Sequence, residues 1–238
     1  MSKLKLKAMK NILKISTAAL IFIFAASCSK SSKNSDTGIS LSLKGTTTLP
    51  AIKKGATIEG FTFSEALLGI KEIEIKKEDE MMDDGEMDFD YDGSYIVDLL
   101  LGKSTPALGF IEFLPGTYNK FESKTASVLD GGKSLSFKGI YTDAGGTAYN
   151  FDVSTTSKIK FEFESATSFV LTEGTVLDML INLNLPMLFE GVDFSKATAN
   201  GSGIIVINDS NYSAILTKIM SNIDRIASME DEHESEHD

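Results

Sequence analysis

The sequence is poor in the residues that most often perform catalysis. Its 238 residues include one cysteine, two histidines and no tryptophan. One cysteine excludes a disulfide within the chain. Both histidines lie in the last six residues, which excludes a Ser-His-Asp or Cys-His site inside a folded domain. Without tryptophan there is little to stack on a sugar ring. The composition favours a protein that is not an enzyme, with hydrolysis by clustered carboxylates as the alternative.

Basic residues are also scarce, with 23 against 34 acidic ones. Five of the lysines lie in residues 1–27, and removing that segment changes the formal net charge from −11 to −16. Phosphate contacts need Lys and Arg, so we expect no nucleic-acid partner. Anionic lipid headgroups would repel such a chain too. Attachment to a membrane therefore has to come from a covalent lipid.

Residues 1–27 have the features of a bacterial signal peptide. A lysine-rich start is followed by "AALIFIFAA", which is too short to span a bilayer as a mature helix. The segment ends in "AASC", and small residues before Cys28 resemble a lipobox, with Ala25 where Leu is more usual. The resemblance implies a lipoprotein whose Cys28 carries palmitate or a similar acyl chain. We expect it in the cell envelope, on the outer membrane of a Gram-negative bacterium. An ordinary signal peptide is the alternative.

After a small, polar tether at residues 28–37, apolar and polar residues alternate with period two. Examples are "GIKEIEIKK" (69–77), "SLSFKGIY" (134–141) and "VLDMLINLNL" (176–185). Further runs lie at 39–43, 58–63, 94–101, 110–114, 117–123, 147–153 and 158–163. Turn signals such as "DGG" separate the runs. The pattern predicts a mainly β fold, an antiparallel β-sandwich over residues 38–208.

Residues 209–228 break the period and predict one C-terminal helix. Seven apolar residues fall at helical spacing: Tyr212, Ile215, Leu216, Ile219, Met220, Ile223 and Ile226. Asp209, Ser210 and Asn211 are candidate N-caps. We expect this helix to pack on a face or edge of the sandwich; docking of a partner is the alternative. No apolar residue follows Met229, so residues 229–238 are expected to form a disordered acidic tail.

The tail contains His233-Glu234-Ser235-Glu236-His237, which is H-E-x-x-H. On a buried helix this spacing holds zinc, with the glutamate as general base. Here one x position is charged, and only Asp238 follows, so the usual downstream third ligand is missing. We interpret His233 and His237 as a weak, exchangeable metal site. A metal-dependent hydrolase that uses this tail or clustered carboxylates remains the alternative function.

A second spacing typical of metal sites lies in the acidic segment 78–92. Asp88-Phe89-Asp90-Tyr91-Asp92-Gly93 is D-x-D-x-D-G, which in calcium loops directs three carboxylates at one ion. Leu99 stands where an EF-hand needs glutamate, so this is not an EF-hand. If a calcium site exists here, it resembles the shorter calcium loops of β-proteins, with Asp88, Asp90 and Asp92 as ligands and Asp98 or an upstream acid to complete the shell. The alternative is a solvated acidic hairpin loop.

Three stretches together resemble a known family. They are "GIKEIEIKK", "YIVDLLLGKSTPALGFIEFLPGTYNKFES" (95–123) and "TVLDMLINLNL" (175–185). They resemble a domain of unknown function common in Gram-negative lipoproteins, the DUF4382-like type. The resemblance implies a transthyretin- or immunoglobulin-like sandwich and brings no catalytic residues. The family usually has Ala between Pro and Gly of the L-P-G-T-Y turn, which this chain lacks.

The leading hypothesis is a membrane-anchored, non-catalytic binding or assembly module. Its partner would be an envelope protein or a glycan, and Ca²⁺ at the D-x-D-x-D-G loop would stabilise the fold.

Overall fold

The alternating runs fold as strands in the computed structural model, which describes residues 36–47, 60–77 and 93–231. The strands are β1 (Gly38–Thr46), β2 (Gly60–Lys77), β3 (Tyr95–Asp98), β4 (Lys103–Thr105), β5 (Gly109–Glu112), β6 (Gly116–Thr125), β7 (Leu135–Thr142), β8 (Ala148–Thr155), β9 (Lys160–Leu171), β10 (Val176–Asn184), β11 (Ile204–Ile207) and β12 (Ala227–Asp231). The α-helix is α1 (Ser213–Met220), and 3₁₀ segments cover Leu185–Phe189, Phe194–Lys196 and Ile223–Arg225.

Two sheets contain these strands. One has the order β12-β10-β1-β5, and the other has β11-β8-β7-β2-β3-β4 with β6 and β9 attached through β2. The predicted mainly β, sandwich-like fold with one C-terminal helix is confirmed for the described chain. The sheets are mixed rather than purely antiparallel, because β1 runs parallel to β10 and β11 runs parallel to β8. Both kinds of pairing give the same period-two pattern, so the sequence could not distinguish them.

The long strand β2 connects two parts of the larger sheet. Its first half pairs with β7 from Gly60 to Leu68, and its second half pairs with β6 from Ile70 to Lys77. The register shifts between Ile70 and Glu72, where β6 replaces β7 beside the strand. Such bulges bend and twist a strand. The second half of β2, with β6 and β9, therefore forms a distinct three-stranded region.

The core combines alternating strand residues with an aromatic cluster. Met179, Ile181 and Leu183 of β10 are fully or almost fully buried, as their alternation predicts. The 3₁₀ segments add Phe189 and Phe194, both buried. The ring centroids of Phe189 and Phe61 are 4.3 Å apart and stacked. These segments therefore close one end of the core with aromatic side chains.

The L-P-G-T-Y segment forms a turn that enters a strand. Gly116 begins β6, and the buried Tyr118 donates its hydroxyl hydrogen to the carbonyl of Leu114 at 2.6 Å. A tyrosine that bonds back to the backbone a few residues upstream fixes a corner between sheets in immunoglobulin-like sandwiches. Here it holds the connection between β5 and β6.

The C-terminal helix is shorter than predicted. Helix α1 covers eight residues, and its N-cap is Tyr212, with φ 56° and no side-chain cap. Asp209 does not cap it, because this carboxylate accepts hydrogen bonds from Thr155 Oγ1 at 2.5 Å and from the Thr156 amide at 2.7 Å. The side chain thus joins the end of β11 to the end of β8. No helix of the described chain is long and apolar enough to cross a membrane.

A strand follows where the sequence predicted the end of the helix and the start of the tail. Strand β12 pairs with β10, with Met229 opposite Ile181 and Asp231 opposite Met179. The predicted boundaries of the helix (209–228) and tail (229–238) are therefore wrong. Ile223 and Ile226 are buried as expected, but a 3₁₀ turn presents them to the core. Residues 232–238 lie outside the described residues.

Candidate ligand groove and charged face

Most of the predicted site residues lie outside the described residues: Cys28, Asp88, Asp90, Asp92, His233 and His237. Asp98 is described, and it closes a turn. Its Oδ1 accepts hydrogen bonds from the amides of Leu100 at 3.0 Å and Leu101 at 3.1 Å. Asp98 ends β3, about 10 Å along the strand from Tyr95. In the described ranges, no three or more His, Cys, Asp and Glu side chains are grouped to hold a metal ion.

A groove of about 340 Å³ opens between β1 and the segment 102–109. We refer to it as the β1–β4 groove. Four apolar side chains form its floor: Leu41, Leu43, Val97 and Leu108, all buried. Polar residues surround them, namely Ser42, Lys103, Ser104 and Thr105. An apolar floor with a few polar groups is the usual composition of a ligand site, and this volume is at the lower end of the usual range.

The groove forms where the chain crosses from one sheet to the other. Strand β4 pairs with β3 in the larger sheet, whereas β5 pairs with β1 in the smaller one. The crossing is closed by a hydrogen bond from the Leu108 amide to Ser104 Oγ at 2.8 Å. Gly109, with φ 61°, begins β5 in a conformation that favours glycine. The crossing thus leaves a space beside β1 that a continuous strand would fill.

Two lysines flank the end of this groove that lies at Gly102. Lys103 lines it, and the aliphatic stem of Lys44 lies beside Gly102, where an added Cβ would be 3.6 Å from Lys44 Cγ. Neither lysine forms an ion pair in the part of the chain that the structure describes. Lys103 lies opposite Asp98 in the register, but the turn amides occupy an oxygen of that carboxylate. The groove therefore offers positive charge beside an apolar floor, in a chain that is otherwise acidic.

A second cluster of charges covers the outer face of β2, β6 and β9. It consists of four glutamates and four lysines: Glu72, Glu74, Glu122, Glu162, Lys76, Lys120, Lys124 and Lys160. Glu74 lies opposite Glu122, whereas Glu72 lies directly opposite Lys124 and forms an ion pair with it. Buried Glu122 pairs with Lys160 at 2.7 Å and Lys76 at 3.3 Å. We call this cluster the charged face. Its charges sum to zero, which favours a structural role.

The pKa values within the charged face reflect this pairing. Burial raises the pKa of Glu74, but hydrogen bonds from Glu72, Lys76 and Lys124 outweigh it and lower the pKa to about 2. The pKa of Glu72 is raised, first because it shares a hydrogen bond with Glu74. Glu72 thus holds its proton more readily, and Glu74 stays ionised. Of the two, Glu74 is the group whose protonation in acid removes stabilisation.

Acid is therefore expected to weaken the fold partly through Glu74. A carboxyl whose folded pKa is lowered contributes stability above its unfolded pKa of about 4.5. That contribution disappears as the pH falls towards about 2. Its upper bound is about 3 kcal/mol, and the opposite shift of Glu72 reduces it. Urea denaturation from pH 7 to pH 2 should show a flatter pH dependence for Glu74→Gln than for the unsubstituted protein.

The exposed Glu173→Gln is the matched control, and its pH profile should follow that of the unsubstituted protein. Parallel profiles for Glu74→Gln and the unsubstituted protein would show that Glu74 contributes nothing to acid sensitivity.

Comparison with known proteins finds no matching family model, no curated relative and no matching solved structure.

Sequence reasoning missed the groove residues Lys44 and Lys103. They are 59 positions apart in the chain, and no local pattern connects them. The alternation of Lys and Glu in the strands did predict a polar face.

Proposed function

We propose that this protein is a lipid-anchored module of the cell envelope that binds its ligand without catalysis, in the β1–β4 groove. The ligand has a short apolar body and an anionic group. The observation that carries the proposal is the apolar floor of the groove next to Lys103 and Lys44, neither of which has an ion pair in the described chain. An anionic group placed there gains charge pairing, and an apolar body gains burial.

The volume of the groove limits the size of the bound group. About 340 Å³ accommodates a small molecule or one or two side chains of a larger partner. The same chemistry thus comes from two sources, a small amphiphilic carboxylate or phosphate, or an acidic segment of an envelope protein. The charged face competes poorly for such a ligand, because its lysines already pair with glutamates.

The envelope location in this proposal is supported by the sequence. The lysine-rich start, the short apolar segment and the small residues before Cys28 together favour lipidation. The resemblance to the DUF4382-like domain supports a non-catalytic role, since that family brings no catalytic residues. Its three stretches correspond to parts of β2, to β3–β6 and to β10.

The groove is expected to bind hexanoate and the acidic peptide acetyl-Leu-Leu-Glu with millimolar affinity, because so few atoms contribute only a small binding free energy. Backbone amide spectra should show saturable shifts for residues 41–44 and 102–109. Hexylamine, of the same length but opposite charge, should produce none. Shifts with hexanoate indicate a small amphiphile as the natural ligand, and shifts with the peptide alone indicate a protein segment.

The double variant Lys44→Glu/Lys103→Glu should weaken this binding about tenfold, since two exposed charges of the wrong sign cost about 1.4 kcal/mol together. Lys133→Glu/Lys158→Glu changes net charge by the same amount away from the groove and should bind as the unsubstituted protein does. Equal weakening in both double variants would show that only net charge matters, and it would contradict binding in the groove.

Calcium binding by Asp88, Asp90 and Asp92 is the second element of the proposal, and it rests on their spacing. Calcium at one hundred times its dissociation constant should stabilise the folded protein by about 2.7 kcal/mol relative to chelator. The melting temperature should therefore rise. Asp90→Asn should lose the shift, while Asp130→Asn should keep it. The idea fails if calcium leaves the melting temperature of the unsubstituted protein unchanged.

A further inference from the structure

Four exposed apolar side chains surround the point where the chain enters the sandwich. They are Phe110, Leu114, Val170 and Val176, with exposed fractions of 44%, 42%, 64% and 48%. We call this set the entry rim. A group of large apolar side chains at one end of a soluble domain marks a contact surface.

The entry point itself is fixed by the backbone around Thr37. Its carbonyl accepts a hydrogen bond from the Phe113 amide at 3.0 Å, and its Oγ1 accepts one from the Gly174 amide at 2.7 Å. The Gly38 amide donates to the Thr175 carbonyl at 3.1 Å. The chain thus enters between the end of β5 and the turn that connects β9 to β10. Its position on the domain is defined before the first strand begins.

Each member of the entry rim lies next to this point. Val176 is opposite Gly38 across β1 and β10. The ring of Phe110 lies against Gly38, where an added Cβ would overlap it. Leu114 directly follows Phe113. These three side chains therefore lie within a residue or two of the entry.

Val170 completes the rim from the other sheet. It lies opposite Thr117, next to Leu171, which is opposite Gly116 at the start of β6. Leu171 is also three residues before Gly174, which bonds to Thr37. The rim therefore extends over the ends of both sheets on the side where the chain enters.

We propose that the entry rim rests on the lipid bilayer to which Cys28 is attached. This inference relies on the lipid anchor of the proposed function. Cys28 lies ten residues before Gly38, and a chain of that length spans at most about 35 Å. The anchor therefore holds the entry end within about 35 Å of the membrane, whereas the far end of β1 can lie about 23 Å farther away. The acyl chain holds the protein there, and the rim sets its orientation.

The charges near the rim define the kind of surface it fits. Asp36, Glu112 and Glu173 are exposed at this end, and Lys77 lies beside Gly116. This acidic excess opposes an anionic surface. The partner is therefore a bilayer with zwitterionic headgroups, which apolar side chains enter at the interface without charge attraction.

The opposite end of the domain offers a matched control. Leu101 is 66% exposed, almost the same fraction as Val170. Leu101 lies two residues after Leu99, whose carbonyl accepts a hydrogen bond from the Gly45 amide. Gly45 is seven residues along β1 from Gly38, about 23 Å away. Under the proposal, Leu101 stays in water while Val170 touches lipid.

The test uses the full lipidated protein with Val170→Cys or Leu101→Cys, each labelled with an environment-sensitive bimane. The chain's other cysteine, Cys28, is blocked by its lipid, so labelling is specific. Both proteins are placed in phosphatidylcholine vesicles that contain spin-labelled lipid quenchers. Flotation of the vesicles is measured first and quenching second. We expect both proteins to float, with the label at 170 quenched at least about twofold more than the label at 101.

The two readouts separate the two proposals. Flotation with equal quenching at 170 and 101 overturns the membrane-facing rim and leaves the lipid anchor standing. Loss of flotation overturns the anchor and, with it, the rim. Replacing a fifth of the lipid with an anionic one should reduce quenching at 170 while flotation stays the same, because the nearby carboxylates oppose that surface. Stronger quenching on the anionic surface would contradict the assignment.

Discussion

Replacing Cys28 with alanine is expected to abolish incorporation of fatty acid into this protein completely. The chain has no other thiol, so no second cysteine can take the acyl group. Metabolic labelling with an alkynyl fatty acid should mark the unsubstituted protein and leave Cys28→Ala unmarked. Each buried methylene contributes about 0.8 kcal/mol to membrane attachment, so acyl chains on Cys28 would be the dominant contact with a bilayer.

Ser29→Ala is the matched control, since it alters the next residue and leaves the thiol in place. It should be labelled as strongly as the unsubstituted protein. If the unsubstituted protein takes up no label, then residues 1–27 are an ordinary signal peptide. The anchor, and with it the membrane location, would then be abandoned.

Phe189→Ala is expected to cause the largest loss of stability, about 3–5 kcal/mol, among the substitutions considered. The side chain is 3% exposed, and its ring centroid lies 4.3 Å from that of Phe61 and 5.7 Å from those of Phe151 and Phe194. Truncation removes the buried ring and leaves a cavity among aromatic neighbours. The free energy of unfolding of a whole domain is only about 5–15 kcal/mol, so this loss would be a large part of it. Urea denaturation at neutral pH measures the difference.

Leu101→Ala provides the comparison, because that side chain is mostly exposed. It should change the free energy of unfolding by less than about 0.5 kcal/mol. A loss below about 1 kcal/mol for Phe189→Ala would mean that the 3₁₀ segment Leu185–Phe189 does not close the core as described.

The sequence predicted those parts of the fold that depend on local alternation. The run at 176–185 placed Met179, Ile181 and Leu183 on one face, and all three are buried in β10. Burial of Ile215, Leu216 and Ile219 followed in the same way from helical spacing. In these segments one periodic face meets the core, and the period alone identifies it.

Long-range pairing escaped the same reasoning. The parallel alignment of β1 with β10 joins residues about 140 positions apart, and alternation carries no information about direction. The helical spacing of Ile223 and Ile226 predicts a longer helix, where the chain instead forms a 3₁₀ turn and then β12. The pairing of Met229 with Ile181, which makes it a strand, depends on the open edge of β10. Such edges exist only once the sheet has formed.

In the candidate site, too, contacts between residues far apart in the chain are not predicted by local patterns. The spacing predicts Asp98, or an upstream acid, as a further metal ligand; it does not predict the hydrogen bonds that Asp98 Oδ1 accepts from two turn amides. Lys44 lies beside Gly102 at the edge of the groove that Lys103 lines only because the two sheets meet there. The polar alternation of β2, β6 and β9 was visible, but the burial of Glu122 among lysines results from three strands lying side by side.

The central claim is that the β1–β4 groove holds an anionic ligand in the envelope. The most direct test places a photo-reactive residue at Ala107, which lines the groove, in the lipidated protein in its own membranes. A second protein carries it at the exposed Ile140 of β7. The account predicts an adduct at 107 that disappears in Lys44→Glu/Lys103→Glu, and none at 140. An adduct at 107 that survives both charge reversals, or no adduct there at all, would contradict it.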